Sequence, residues 1–349
     1  MGRGRTVVVA IVVALAVAAY GAWWLQAAAR LHQAIDAWVE DNRTRGWHIE
    51  LDNVAVRGFP LQLRAQADRF TVGRDTPFAW RWSGPLFTAS TPPWIGRDIA
   101  LSFPGSHKIE FDARDGHKVI PISAAKAHGQ VRVENDGRIG SFSLALGDIA
   151  AALPDLGPTR IAKLDASLTV GGKPPPAANS PRAPEVGRLT LTAEAIDLPQ
   201  RVATTLGRQI GEIDLEATLL GAMPAAQSET ALAAWRDAGG TIEMEKLRLH
   251  WGEFQLEANG TAALDAQLQP EGALTARIWG AGAAIDALVD GGSVRPREGA
   301  TAKVVLHTMA KPSTAQGVSR EVEVPLSVQD RKLYLGPVVI ARVPTVVWP

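Results

Sequence analysis

The sequence predicts a mainly β protein: an N-terminal transmembrane helix followed by an elongated, twisted, largely antiparallel sheet, groove or sandwich-like, with a few short helices. Three observations carry that expectation. An uncharged run from Thr6 to Leu25 follows Arg3 and Arg5. From Trp47 onward apolar and polar residues alternate in run after run, the period of a strand with one dry face and one wet face. Stretches that keep a helical period are few and short beyond that point.

At about 1.5 Å per residue, the apolar run is long enough to cross a hydrocarbon core of about 30 Å. Trp23 and Trp24 stand where an interfacial aromatic belt belongs, and the basic flank before the span assigns everything from Arg30 onward to the far side of the membrane. A removable signal peptide is the alternative, because Ala27, Ala28 and Ala29 are the small residues a signal peptidase reads. The run of about 20 residues exceeds the roughly 7 to 15 of a signal core, which favours the anchor. The expected division is a cytoplasmic tail at 1–5, the anchor at 6–28, a juxtamembrane helix with an N-terminal β-rich half at 29–170, a Pro-rich linker or loop at 171–187, and a C-terminal β-rich half at 188–349.

The roughly 320 residues beyond the span are enough to bury a substantial core. Lysines plus arginines equal aspartates plus glutamates at 36 each, so no general pull on nucleic acid or on an anionic surface is expected. The chain has no cysteine, which removes disulfides and any thiolate ligand or nucleophile.

After the span, Leu31, Ala34, Ile35, Trp38 and Val39 recur at helical spacing and form one apolar stripe, with Gly46 as the stop. Trp47, Ile49 and Leu51, then Leu61, Leu63 and Ala65, alternate on either side of Gly58-Phe59-Pro60 and read as a hairpin-like pair. Trp80, Trp82 and Trp94 lie among Pro85, Pro92 and Pro93, which reads as an ordered loop or edge. Alternation resumes at 109–111, 131–133 and 139–146, the last two joined by the turn signal Asn135-Asp136-Gly137. Beyond the linker it is nearly unbroken, as an antiparallel sheet with one side to solvent requires. Short helices are expected at 148–153, 201–209, 225–238 and 281–289.

These strands define the candidate site, an apolar ligand face made of Leu189, Leu191, Leu247, Leu249, Trp251, Phe254, Leu256, Leu274 and Ile278. Periodicity leaves open whether that face is a lengthwise groove for acyl chains or an ordinary closed core.

No catalytic signature competes with it. The seven histidines, His32, His48, His107, His117, His128, His250 and His307, contain no HExxH pair, and His107 and His117 read as solvent-facing loop residues. No serine sits in a nucleophile elbow. Glu212, Asp214 and Glu216 share one strand face about 7 Å apart, the ordinary pattern of a solvated outer surface. Trp279-Gly280-Ala281-Gly282 has Ile285 where a dinucleotide fingerprint needs its third glycine. No catalytic residue, metal site or cofactor is therefore expected.

Gly46-Trp47, Val56-Arg57-Gly58-Phe59-Pro60, Trp251-Gly252, Gly260, Leu264-Asp265, Gln269-Pro270-Glu271-Gly272, Ile278 to Gly280, Leu335-Gly336-Pro337 and Val343-Pro344 together resemble the bacterial domain-of-unknown-function family 2125 (DUF2125). The segment Gly260 to Gly280 is also locally similar to the AsmA-like envelope proteins, whose long half-open sheets carry lipid. The resemblance implies a membrane-anchored envelope protein and names no activity. The expectation is a noncatalytic protein of the bacterial inner membrane, single-pass, with the bulk of its chain in the periplasm, binding or passing an apolar molecule such as a lipid. The alternative is an envelope assembly or scaffold protein whose partner is another protein.

Overall fold

The computed structural model describes residues 3–76, 79–94, 96–113, 115–171, 183–202, 205–221, 229–291, 294–309, 322–336 and 338–348. Its chain divides into two compact units, unit 1 being Met1–Lys118 with His128–Arg138 and unit 2 being Val119–Ala127 with Ile139–Pro349.

Unit 1 opens with α1, Arg3–Thr44, a helix long and apolar enough over its first part to cross a membrane. The span and the juxtamembrane stripe are thus one uninterrupted helix. It ends where Gly46 takes a positive φ of 82°, a conformation that costs glycine little. Strands β1 (Trp47–Asp52), β2 (Ala55–Arg57), β3 (Leu63–Arg74), β4 (Trp80–Thr91), β5 (Asp98–Ser102) and β6 (Gly105–Ala113) follow, and β7 (Gly116–Val133) ends back in this unit.

The expected hairpin about Gly58-Phe59-Pro60 is instead built from three strands. The turn joins β2 to β3, Ala55 opposite Gln66, while β1 pairs with the distal half of β3, Trp47 opposite Arg74. Of the tryptophan and proline segment expected as an ordered loop or edge, Trp80, Trp82 and Pro85 belong to the twelve-residue strand β4, paired along its length with β3, while Pro93 and Trp94 lie in a turn beyond it. Pro85 is tolerated in β4 for a specific reason. On its other side β4 bonds β6 at residues 80–83 and β5 at 88–90, so Pro85 lies in the gap where no ladder donor is needed.

Unit 2 is a meander of β8 (Ile139–Leu153), β9 (Gly157–Val170), β10 (Glu185–Asp197), β11 (Gln209–Leu220), β12 (Thr241–Trp251), β13 (Phe254–Leu264), β14 (Pro270–Trp279), β15 (Val322–Gln329), β16 (Lys332–Leu335) and β17 (Val338–Arg342). Each strand pairs antiparallel with its neighbour in sequence. Most of the expected linker, 172–182, lies outside the described residues, and the strands on either side of it, β9 and β10, pair directly.

The helix expected at 148–153 is the end of β8. Its alanines favour helix in isolation, but Ile149 is buried opposite Ile161 and the ladder with β9 continues to Leu153. At 201–209 only a 3₁₀ turn, Gln200–Val202, forms before Gly207 takes a positive φ and β11 begins. The helix expected at 225–238 appears as α2, Glu229–Asp237, with 222–228 outside the described residues. That expected at 281–289 is α3, Ala281–Asp290, and a further helix not anticipated, α4 (Pro296–Met309), packs beside it.

Registered pairs carry one apolar face across the meander: Leu191 faces Leu215, Leu215 faces Leu247, Leu247 faces Ala258, Ala258 faces Ala276 and Ala276 faces Val324. Over β13 to β15 this face is roofed by Ile285 and Val289 of α3 and Ala302 of α4. Over β9 and β10 it is more open, with Leu168 41% and Leu189 39% exposed. Trp235 of α2 is buried near the ends of β11 and β12, donating its indole N–H to the Leu220 carbonyl at 3.0 Å. The last residues of the chain are strapped back by the Gln269 amide, which bonds both the N–H and the carbonyl of Val346.

Two outcomes follow from this division of cover. Leu256→Glu places a carboxylate among residues packed under the helices and costs several kcal/mol, whereas Leu189→Glu stays within about 1 kcal/mol of the parent. Chemical denaturation of the two variants reads the difference. Trp235→Ala removes a buried indole and its hydrogen bond and lowers stability by about 3–5 kcal/mol.

Candidate functional site

Unit 1 encloses the site with the best-defined geometry, an apolar cavity of about 410 Å³ between α1 and the inner face of β1, β3, β4 and β5. The stripe of α1 forms its roof through Leu31, Ile35 and Trp38, spaced so that all three meet the sheet. Register builds the floor. Ile49 and Leu51 of β1 stand opposite Val72 and Phe70 of β3, and Val72 in turn stands opposite Trp82 of β4. Ala65 of β3 faces Ala89 of β4, which faces Leu101 of β5.

The volume exists because of a size mismatch. Ala65, Ala67 and Ala89 occupy adjacent positions on the floor where neighbouring strands carry Phe87, Leu101 and Phe103. Their short side chains make this part of the floor low, with Ala65 and Ala67 buried and Ala89 half-buried. The lining is almost wholly carbon, its polar members being Gln66, Ser90 and Thr91.

An aromatic cluster closes one side. Phe70 and Trp82 meet edge to face with centroids 4.8 Å apart, Phe87 and Phe103 lie 5.5 Å apart, and His107 sits within 6 Å of Phe70 and Trp82. His107 was expected in a solvent-facing loop and is instead buried within β6. Its Nε2–H donates to the Phe103 carbonyl at 2.8 Å, and Nδ1 is buried with no hydrogen-bond partner among the described residues. Gly84 makes this possible, because a Cβ there would lie 2.1 Å from Nδ1. His117 is exposed as expected, but it lies in β7 rather than in a loop, 2.9 Å from Asp112.

The residues expected to form a ligand face share one side of unit 2 but fall in two environments. Leu247, Phe254, Leu256 and Leu274 pack around the buried Ile278 in the core under α3 and α4. Leu191, Leu249 and Trp251 are half-buried, and Leu189 is exposed. None of the nine lines the cavity of unit 1. The signal for that cavity was present in the stripe of α1 and in the alternation of β1 and β3. The row of alanines beside aromatic neighbours was the part left unread.

The acidic triplet, expected on a solvated outer face, has Asp214 buried and Glu212 and Glu216 half-buried. Asp214 and Glu216 both bond the Lys246 ammonium, and these hydrogen bonds, the one to Asp214 foremost, hold that lysine above its ordinary range. Glu212 stands opposite His250 on the neighbouring strand. Among the described residues, no group of three or more His, Asp or Glu side chains converges as a metal site.

Comparison with known proteins finds one match. No curated protein and no solved structure is similar enough to this chain to guide the reading. The model of a family described as "Uncharacterized protein conserved in bacteria (DUF2125)" matches residues 24–344, which takes in β1 to β17, the lower part of α1 and therefore every wall of the cavity. The chain belongs to the DUF2125 family.

Proposed function

We propose that this protein is a noncatalytic, membrane-anchored envelope protein of the bacterial inner membrane whose periplasmic part holds the acyl portion of a lipid between α1 and the sheet of unit 1. The observation that carries this reading is the cavity's combination of size and chemistry. Its 410 Å³ falls among the volumes of small-ligand pockets, roughly 300–1,000 Å³. The pocket is partly open, so while it is empty its apolar walls face water, which is unfavourable by about 25 cal/mol per Å² of apolar surface. Water is a poor occupant, since it needs two to four polar partners and the walls offer few.

An acyl chain satisfies those walls. Each methylene moved out of water contributes about 0.8 kcal/mol. Its source is close at hand, because the helix that roofs the cavity is the same helix that is apolar enough to enter a bilayer.

The test uses the full chain in vesicles that contain a phospholipid with a photoreactive diazirine on its acyl chain. After illumination, peptide mapping is expected to find adducts on α1 at 31–38 and on the strands at 63–103, besides those on the span at 6–25. Filling the cavity with Ala89→Phe, at a half-buried position of the floor, removes the strand adducts, leaves those on the span, and keeps the thermal transition. Adducts confined to 6–25 in the parent protein overturn the reading.

A further inference from the structure

The turn that joins β2 to β3 is fastened to α1 at a level no soluble loop would choose. The Tyr20 hydroxyl donates to the Pro60 carbonyl at 2.5 Å, and the Trp24 indole N–H donates to the Gln62 carbonyl at 3.2 Å. The Trp24 ring meets Phe59 edge to face with centroids 5.5 Å apart. Gln62 N–H closes the turn on the Gly58 carbonyl at 2.9 Å. Tyr20 lies ten residues before Arg30, the first charge after the apolar run, so the turn sits about 15 Å on the membrane side of that charge.

The tip is suited to that depth. Phe59 is 53% and Leu61 64% exposed, two large apolar side chains offered outward from one tight turn. The carbonyls of Gly58, Pro60 and Gln62 all accept hydrogen bonds, as backbone near hydrocarbon must. Directly behind the tip, Arg57 and Arg64 stand opposite each other on β2 and β3. Like charges in that position repel. Neither has a carboxylate partner among the described residues, and the one bond made by Arg64 is to the neutral Gln62 amide, at 2.8 Å.

We infer that this turn is a second membrane contact, with Phe59 and Leu61 seated at the boundary between headgroups and acyl chains and Arg57 and Arg64 on the phosphates of the same leaflet. The inference rests on α1 spanning the bilayer. Continuity supplies the occupant, because the tip is clamped to the outer end of the apolar helix beside Trp23 and Trp24. The order of side chains, apolar at the tip and cationic two residues before Phe59 and three after Leu61, matches the order of layers in a leaflet. β3 leads from this turn straight into the cavity, since Leu63, one residue past Gln62, lines it. The contact therefore holds the cavity's floor at the leaflet from which a chain would enter.

The absence of cysteine makes the test clean. Leu61→Cys, Val13→Cys in the span and Asp75→Cys at the far end of β3 each take a single environment-sensitive fluorophore in the full chain. The labelled proteins are reconstituted in phosphatidylethanolamine and phosphatidylglycerol vesicles doped with brominated lipid. Bromine is expected to quench the labels at 13 and 61 and to spare the one at 75. Quenching at 13 without quenching at 61 overturns the second contact while leaving the span intact. Absence of quenching at both removes the span and the inference with it. On the labelled Leu61→Cys background, Arg57→Gln and Arg64→Gln each lower the inserted population about fivefold. Unchanged quenching in both overturns the phosphate contact. None of these outcomes depends on whether the cavity itself takes up an acyl chain.

Discussion

Everything in this protein follows from a shortage of cover for one-sided sheet. Antiparallel ladders satisfy the backbone of every strand, but each strand also presents a row of apolar side chains that must be taken out of water. Among the described residues, four helices are available for this, and one of them is apolar enough to spend half its length in a bilayer. The two units answer the shortage differently. In unit 2, α3 and α4 sit close enough to exclude space, helped by Gly299, where a Cβ would lie 2.6 Å from Val289. In unit 1 the covering helix stands off from the sheet, and the gap is the cavity.

The standoff is written in side-chain size rather than in backbone irregularity. Trp38, Leu31 and Ile35 are large, and they face a floor whose central positions are alanines. Large against small normally interdigitates, as cores at native density require. Here Ala65 of β3 and Ala89 of β4 stand opposite each other, so their small volumes add, while Ala67 stands opposite Phe87. A row of small residues in the middle of an aromatic surround makes a trough.

How much of this was legible in the sequence depends on the range of the interaction involved. The span, the stripe of α1 and the strands from β10 onward repeat a local period, and local periods survive without knowledge of partners. Pro85 was misleading because its meaning depends on which strand lies beside it, and the switch from β6 to β5 is a tertiary fact. Ala150 to Ala152 were misleading because helix propensity is weaker than a ladder already anchored at Ile149. His107 was placed outside because nothing near it in sequence announces Gly84, the residue that gives its ring room. The candidate face was drawn where alternation is cleanest, and clean alternation marks a well-covered core as readily as a ligand site. The cavity arises where three separated segments fail to meet, and no local pattern records a gap.

Natural selection for stability alone would remove such a gap. Replacing Ala65, Ala67 or Ala89 with a larger aliphatic residue is among the simplest stabilising changes a protein can acquire, and nothing in the backbone of β3 or β4 forbids it. The residues on the roof are already at full size, so the empty volume is not a matter of residues too short to reach. Retaining alanine on both strands, beneath a helix that continues into a membrane-compatible span, leaves apolar area that the chain itself does not fully cover. In unit 2 the same physics runs the other way: Ala258 and Ala276 also face one another, yet there α3, α4 and Val324 close over them completely. The same residue pair therefore yields a packed core or an open trough according to whether the covering helix is free to approach, and only in unit 1 is that helix continuous with a stretch apolar enough to cross a membrane.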